Sequence, residues 1–281
     1  MTFGTELEIL LASVVAGVLG SMLGLGAGVF FVPILSVFFG VPLKAAVAAS
    51  AISVIVNSTG GTAVYLKNRM TNVRLALVME LTTTLGAIGG GVIVILISTN
   101  VLRLVLGLSL LGMGAALFFR RGEAPPITEG PDPLRLRQTY TDPVKNVDVT
   151  YIPTRTGAGL GAASLAGVIS GMLGIGGGAV KVPIMNSLMR VPLKATIGTS
   201  MYMVGITVSA SAFLYYNHGL IDPSVAVPAL LGVAIGSQAG SRLGRRLRGR
   251  VLTRLLVLVL FYLAITLLLQ SFGIHLPGAK S

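Results

Sequence analysis

The chain contains no cysteine and no tryptophan, and only two histidines and nine acidic residues occur among its 281 positions. The missing cysteine excludes disulfide bonds, thiolate metal sites and thiol chemistry. Neither a Gly-Lys-Ser/Thr phosphate loop nor a His-Glu zinc motif is present, so nucleotide hydrolysis and metal-assisted proteolysis have no support. We therefore expect no cofactor, no bound metal and no enzymatic activity.

Charge is also scarce, at 11% of residues, whereas 53% are hydrophobic and the mean hydropathy is +0.88. Apolar runs of this length and frequency are typical of a protein that crosses a bilayer. The net charge of +12 comes from short basic clusters between apolar runs. Such clusters are topology signals, so we expect lipid contact and no nucleic-acid partner.

The second half of the chain repeats the first at a constant offset of 150 residues. The segment at 21–28, Ser-Met-Leu-Gly-Leu-Gly-Ala-Gly, returns at 171–178 as Gly-Met-Leu-Gly-Ile-Gly-Gly-Gly, and Val-Pro-Leu-Lys-Ala at 41–45 returns at 191–195. In an apolar chain, a duplicated half with interrupted hydrophobic segments indicates a secondary transporter whose site lies at the interruptions.

Each copy predicts one broken apolar segment followed by three membrane spans. The broken segments cover 7–39 and 157–189, and we expect each to form two half-helices. The spans are predicted at 45–66, 75–97, 101–119, 195–216, 225–240 and 251–270, each near the length that crosses hydrocarbon.

The duplication divides the chain into a first repeat at 1–119, a connector at 120–156 and a second repeat at 157–281. Six of the thirteen prolines fall in the connector, which predicts a solvated loop.

Basic residues predict that the two repeats are inverted relative to each other. Lys67, Arg69 and Arg74 follow the second segment of the first copy, whereas the loop between the third and fourth segments is basic only in the second copy, at Arg242–Arg250. The positive-inside rule then places the connector in the cytoplasm and both termini outside, in the cell (inner) membrane. Each broken segment must enter and leave on one face, as a re-entrant hairpin. The fold class is thus an all-α polytopic membrane protein with two inverted repeats, each a re-entrant broken helix plus three transmembrane helices.

The glycine-rich breaks predict a central anion site. In each copy the second half-helix begins at the last glycine, and its free N–H groups and positive dipole end attract anions. Glycines at helix contacts can instead serve close packing alone. The residues predicted to line the site are Gly24, Gly26, Ala27 and Gly28 in the first copy and Gly174, Gly176, Gly177, Gly178 and Ala179 in the second.

Four polar residues within the apolar segments are further candidates. Lys181 lies in the second broken segment, where a charge is costly enough to indicate function; Glu80 lies at a similar predicted depth and could pair with it, for coupling or for structure alone. Asn57 and Thr207 occupy equivalent mid-span positions and could orient a substrate, and Ser200 follows the second break. Hydroxyl groups in spans also commonly bond their own helix.

The second copy resembles the TauE/SafE family of sulfite and organosulfonate exporters. The likeness rests on Gly-Ile-Gly-Gly-Gly at 174–178, Val182-Pro183 and Pro192, with Thr199-Ser200, Gly219-Leu-Ile-Asp222 and Gly236 beyond them. It extends over both halves but not the connector. The resemblance implies export of small sulfur-containing anions, such as sulfite, sulfoacetate or related organosulfonates.

We therefore expect a secondary transporter that works by alternating access and binds a small anionic substrate. Because dimers are common among symmetric oligomers, a homodimer is the expected assembly. A passive anion channel could use the same helix ends. An intramembrane hydrolase pairing Ser187 or Ser200 with Lys181 is the third alternative.

Overall fold

The computed structural model describes residues 3–118, 127–142, 144, 146–246 and 250–272. Ten α-helices are described: α1 (Phe3–Leu23), α2 (Gly28–Phe38), α3 (Leu43–Lys67), α4 (Val73–Leu96), α5 (Thr99–Phe118), α6 (Thr156–Leu173), α7 (Gly178–Pro183), α8 (Leu193–Asn217), α9 (Pro223–Gly244) and α10 (Arg250–Ser271). Helix α7 continues as a π-helical turn, Ile184–Leu188. Two strands, β1 (Gln138–Asp142) and β2 (Val147–Tyr151), lie between α5 and α6.

Six of the described helices are long and apolar enough to cross a membrane: α1, α3, α4, α6, α8 and α9. Along α4, Leu77, Leu81 and Leu85 are exposed on the outside of the bundle, as in a helix that faces lipid. The prediction of a helical, multi-pass membrane protein is confirmed. Four of the six predicted spans coincide with helices of this set, α3, α4, α8 and α9, whereas the other two coincide with α5 and α10, which lie outside it.

Both predicted breaks are present, but the helix before each break is longer than the helix after it. Helix α1 has 21 residues and α6 has 18, whereas α2 has 11. The expectation of two half-helices is therefore wrong for the helix before each break. Gly17 and Gly20 lie within α1 and do not break it. A Cβ at Gly17 would lie 3.0 Å from Val233 of α9. Here glycine serves close helix packing, and the chain turns only at the glycines that follow.

The second broken segment forms a hairpin whose ends meet. The Thr154 amide, just before α6, donates to the Met189 carbonyl, just after the π-helical turn, at 2.9 Å. A Cβ at Gly159 would lie 2.6 Å from the Met189 sulfur. The chain therefore enters and leaves this hairpin at the same end of the bundle.

The two copies exchange equivalent contacts. Helix α1 of the first copy packs along α9 of the second, and α6 of the second packs along α4 of the first. Helices α3 and α8 occupy equivalent positions and run antiparallel: the N–H of Asn72, beyond the end of α3, bonds Thr199 near the start of α8, and Gly61 contacts Met201. This arrangement is the one expected of copies related by a two-fold rotation.

The described part of the connector is not the solvated loop that its composition predicts. Strands β1 and β2 pair antiparallel, with Gln138 opposite Tyr151, and Tyr140 and Tyr151 are buried against each other edge to face. The hairpin also packs on the helices, since Gln138 donates to the Arg69 and Thr71 carbonyls and Asp142 accepts from Lys194 at 2.5 Å. The connector thus forms paired strands that dock on the helices, despite its turn-rich composition.

Candidate functional site

Two glycine turns meet at the centre of the bundle. The first turn joins α1 to α2 and has positive φ at Gly24 and Gly26; the second joins α6 to α7 and has positive φ at Gly174, Gly176 and Gly177. Only glycine adopts such angles without strain. Ala27, which stands where the second copy has Gly177, has φ −65°, so the two turns differ at this position.

The two turns contact each other without intervening space. A Cβ on Gly28 would lie 2.8 Å from the Gly174 carbonyl oxygen, and a Cβ on Gly178 would overlap the Gly24 carbonyl. Helices α2 and α7 begin at Gly28 and Gly178, as predicted. In this conformation the turns face each other closely enough to leave no room for an anion between those glycines.

Equivalent side chains from α3 and α8 hold the turns in place. Ser50 donates to the Gly174 carbonyl at 3.0 Å, and Ser200 donates to the Gly24 carbonyl at 2.7 Å. The equivalent Val54 and Val204 line both Gly26 and Gly176. Each copy therefore supplies a helix that fixes the hairpin of the other copy.

A buried charged cluster lies beside the second turn. The Lys181 ammonium is 3.5 Å from Glu80 Oε2 and donates a hydrogen bond to Thr207. Thr207 in turn donates to Glu80 Oε1 at 2.5 Å, and Thr84 donates to the same oxygen at 2.9 Å. Lys181 is fully buried and Glu80 is 5% exposed. Helices α7, α4 and α8 thus each contribute one member of a Lys181–Glu80–Thr207 cluster.

This cluster retains unused hydrogen-bonding capacity. Glu80 Oε2 is buried and lies in the ion pair, but it accepts no described hydrogen bond. Placing an ion pair in a dry interior is costly unless the remaining lone pairs and protons are also satisfied. A further hydrogen-bond donor to Glu80 Oε2 would therefore stabilise the cluster.

Only one copy carries the cluster. At the offset of 150, Lys181, Glu80 and Thr207 correspond to Phe31, Leu230 and Asn57. With its amide oriented to satisfy both neighbours, Asn57 accepts from the Ala27 amide at 2.8 Å and donates to the Gly17 carbonyl at 3.3 Å. Asn57 therefore bonds the hairpin of its own copy, whereas its counterpart Thr207 bonds the charged pair; a role of either residue in orienting a substrate stays a prediction.

Two serines near the turns were not among the predicted site residues. Ser50 could have been found from the duplication alone, because it is the counterpart of Ser200. Ser170 is buried beside Gly177, and its hydroxyl has no described partner. Its counterpart is Gly20, so the duplication gives no signal for it. Ala179 is buried directly after the second turn.

The comparisons with known proteins agree with this architecture. The family model described as "Sulfite exporter TauE/SafE" matches residues 9–267. The chain belongs to the TauE/SafE family. It is 23% identical over 231 residues to the "Probable membrane transporter protein YunE" of Bacillus subtilis (strain 168), covering 80% of this chain and 83% of that protein. It is 29% identical over 224 residues to a "Probable membrane transporter protein" of Xylella fastidiosa (strain 9a5c), covering 78% of each. No solved structure gives a significant match.

Proposed function

We propose that this TauE/SafE protein is a secondary exporter of small sulfur-containing anions, such as sulfite, sulfoacetate or related organosulfonates. The observation that carries the proposal is the fully buried Lys181 ammonium beside the second glycine turn. An intramembrane cation of this kind commonly marks a substrate or ion pathway. The family description names sulfite, and the relatives are named as transporters.

Glu80 acts as the internal counter-ion of Lys181 while no substrate is bound. A sulfonate or sulfite oxygen can accept from the ammonium in its place, so the charge of Lys181 stays compensated in both states. Thr207 contacts both partners and guides the exchange. When Glu80 is released from Lys181, it becomes a buried carboxylate without a counter-ion, which favours its protonated form. Glu80 can therefore take up a coupling proton.

The glycine turns supply backbone donors once they separate. The first N–H groups of α2 and α7 have no partner within their own helices and mark where a bound oxyanion would lie, near Gly28, Gly178 and Ala179. Because the turns are packed together here, this conformation is closed, and substrate enters when one repeat rocks against the other. Ser200 and Asn57 control the turns through their hydrogen bonds and are positioning residues.

The repeats are inverted in the membrane, with the connector in the cytoplasm of the cell and both termini outside. The antiparallel course of α3 and α8 supports this orientation. Basic charge at the connector end, the end of the bundle on which the β1–β2 hairpin packs, also supports it. There Lys194 pairs with Asp142 of the hairpin, and Arg74 donates to the Arg135 carbonyl. A homodimer, the expectation from symmetry, stays a prediction.

The hydrolase alternative fits the geometry less well than transport. Ser200 donates to the Gly24 carbonyl and Lys181 to Thr207, while Ser187 is exposed on the π-helical turn. A serine nucleophile needs its base within hydrogen-bonding reach. A passive channel would use the same residues as the transporter, and exchange measurements separate the two.

Thermal unfolding of purified protein in a neutral detergent tests the assignment of the site. A ligand at one hundred times its dissociation constant stabilises the native state by about 2.7 kcal/mol, so sulfite or sulfoacetate should raise the unfolding midpoint of the wild type. The Lys181→Met/Glu80→Gln double variant, which removes both charges together, should fold but lose the response. Lys181→Arg should keep part of it. An undiminished response in the double variant would contradict the assignment of Lys181 to the substrate.

A further inference from the structure

A basic cleft lies at the connector end of the bundle, away from the glycine turns. Its volume is about 440 Å³, and it is bounded by the last turns of α3 and α9. Lys67 and Asn68 line one side, and Gln238, Arg242 and Arg245 line the other. Along α3, Lys67 is ten residues from Asn57, or about 15 Å at the rise of an α-helix, so the cleft is peripheral to the central site.

The three cations of this cleft have no described counter-charge. No acidic residue lines it, and the ion pairs among the described residues are Lys181–Glu80 and Lys194–Asp142. Among the described hydrogen bonds, Arg242 donates to Gln238 Oε1, at 3.4 Å. The Arg245 Nε is buried and has no described hydrogen-bond partner. No described carboxylate therefore neutralises either guanidinium at this cleft.

Helix-dipole compensation is the first structural explanation to weigh, because cations are favoured at helix C-termini. The duplication tests it within the same molecule. The counterparts of Lys67, Arg242 and Arg245 are Asn217, Val92 and Ile95, and these belong to equivalent helix ends, those of α8 and α4. Since these ends form without cations, the helices do not require the charges.

We propose that the cleft between the ends of α3 and α9 is a second binding site, for a sulfonate or phosphate group. Arginine pairs favour such oxyanions because the planar guanidinium donates two parallel hydrogen bonds. Lys67 adds charge, and the amides of Asn68 and Gln238 lie on either side. The Asn68 amide donates one N–H to the Val64 carbonyl and keeps its second N–H for the ligand. The group can belong to a free anion near the membrane or to the headgroup of an anionic lipid. The site does not depend on the proposed transport function.

The absence of native cysteine allows a local test. Ala63 lines the cleft and is exposed, so Ala63→Cys places a thiol there without disturbing the core. Its reaction with an anionic reagent, sulfonatoethyl methanethiosulfonate, is compared with that of a cationic trimethylammonium analogue. Each rate is divided by the rate of the same reagent with a small thiol in solution.

We expect the normalised rate of the anionic reagent to exceed that of the cationic one by about tenfold or more at low ionic strength, and sulfate to slow the anionic reaction. In the Arg242→Gln/Arg245→Gln background both effects should disappear. The matched control Arg246→Gln removes a charge from an exposed neighbour that does not line the cleft, and it should retain both. Equal normalised rates in the parent protein, or equal losses in the cleft and control variants, would overturn the proposal.

Nanodiscs of two compositions identify the source of the group. If phosphatidylglycerol protects the thiol and phosphatidylcholine does not, the site binds a lipid headgroup. If only added sulfate protects it in both lipids, the site binds a free anion. Protection by neither lipid nor sulfate would refute the site. Because the thiol reports only on the cleft, this result is independent of anion binding near Lys181.

Discussion

At the scale of single residues, the cost of burying Lys181 is the main energetic fact. An isolated buried ammonium is far more expensive than one paired with a carboxylate, and removing either partner of a buried pair is typically destabilising by about 3–5 kcal/mol. Glu80 and Thr207 reduce that cost from two other helices. The cluster therefore links α4, α7 and α8 and leaves one ion-pair oxygen without a hydrogen bond.

Thr207→Val should destabilise the protein by about 2 kcal/mol, because it removes the hydroxyl that joins Lys181 to Glu80 and leaves a buried donor on Lys181 without that acceptor. The midpoint of thermal unfolding measures this. Thr84→Val is the matched control. Thr84 is half-buried on α4, the helix that carries Glu80, and its loss removes one hydrogen bond to the same Glu80 oxygen. This variant should lose less than half as much stability as Thr207→Val. Equal losses of stability in the two variants would show that bridging Lys181 and Glu80 gives Thr207 no larger contribution than the single hydrogen bond of Thr84.

The sequence predicted part of this cluster. Similar depth in the bilayer brought Lys181 and Glu80 together as candidates, and the structure places them 3.5 Å apart. The different orientations of Asn57 and Thr207 could not be predicted from their equivalent positions. Whether a side chain caps its own hairpin or joins a charged neighbour depends on Lys181 and Glu80, for which the first copy has Phe31 and Leu230.

At the scale of elements, glycine is required in the two turns for close backbone contact as much as for positive φ angles. Gly178 has no positive φ, yet a Cβ there would overlap the Gly24 carbonyl of the other hairpin. The glycine at this position is required because two backbones approach each other. The duplicated motif predicted that glycine is needed here, but the contact between Gly178 and Gly24 depends on the tertiary fold and could not be predicted from the sequence.

Gly178→Ala should lower stability by about 1–3 kcal/mol, the usual range for overpacking a close contact, and should slow transport by pushing the two turns apart. Gly112→Ala is the control, because a Cβ on Gly112 meets nothing within 4 Å and alanine is the better helix former. Unfolding midpoints and initial exchange rates of both variants give the comparison. Unchanged behaviour of Gly178→Ala would mean that the turns are not in contact in the membrane.

The connector shows where composition misleads. Its prolines predict a loop, but the segments 138–142 and 147–151, Gln-Thr-Tyr-Thr-Asp and Val-Asp-Val-Thr-Tyr, are rich in β-branched and aromatic residues, which favour strands. The pairing of β1 with β2 buries Tyr151, and Asn72 then bonds both this tyrosine and the Leu136 carbonyl. The local signal for strands was present, whereas the docking surface could only be seen in the fold.

At the scale of the whole molecule, the duplication predicted more than any single motif. It located the breaks and the helices that follow them, and it relates Ser50 to Ser200, of which only Ser200 was among the predicted site residues. The contacts of α1 with α9 and of α6 with α4 show that each copy is completed by the other. The inverted orientation in the membrane stays a prediction, since it depends on which ends face the cytoplasm.

Single cysteines on the cysteine-free chain test that orientation. Asp132→Cys in the connector and Arg246→Cys beyond α9 should react with an impermeant thiol reagent only when the cytoplasmic face is accessible. His218→Cys, at the end of α8, should react from the outside, because α8 runs antiparallel to α3. Labelling of all three from one face would contradict the inverted arrangement.

Exchange of radiolabelled sulfite across proteoliposome membranes tests the central claim most directly. The account predicts saturable uptake that is accelerated by unlabelled sulfite or sulfoacetate inside the vesicles, and loss of that exchange in Lys181→Met/Glu80→Gln protein that is still folded. Uptake that neither saturates nor responds to internal anion would indicate a channel. Wild-type exchange rates in the double variant would contradict the role given to Lys181.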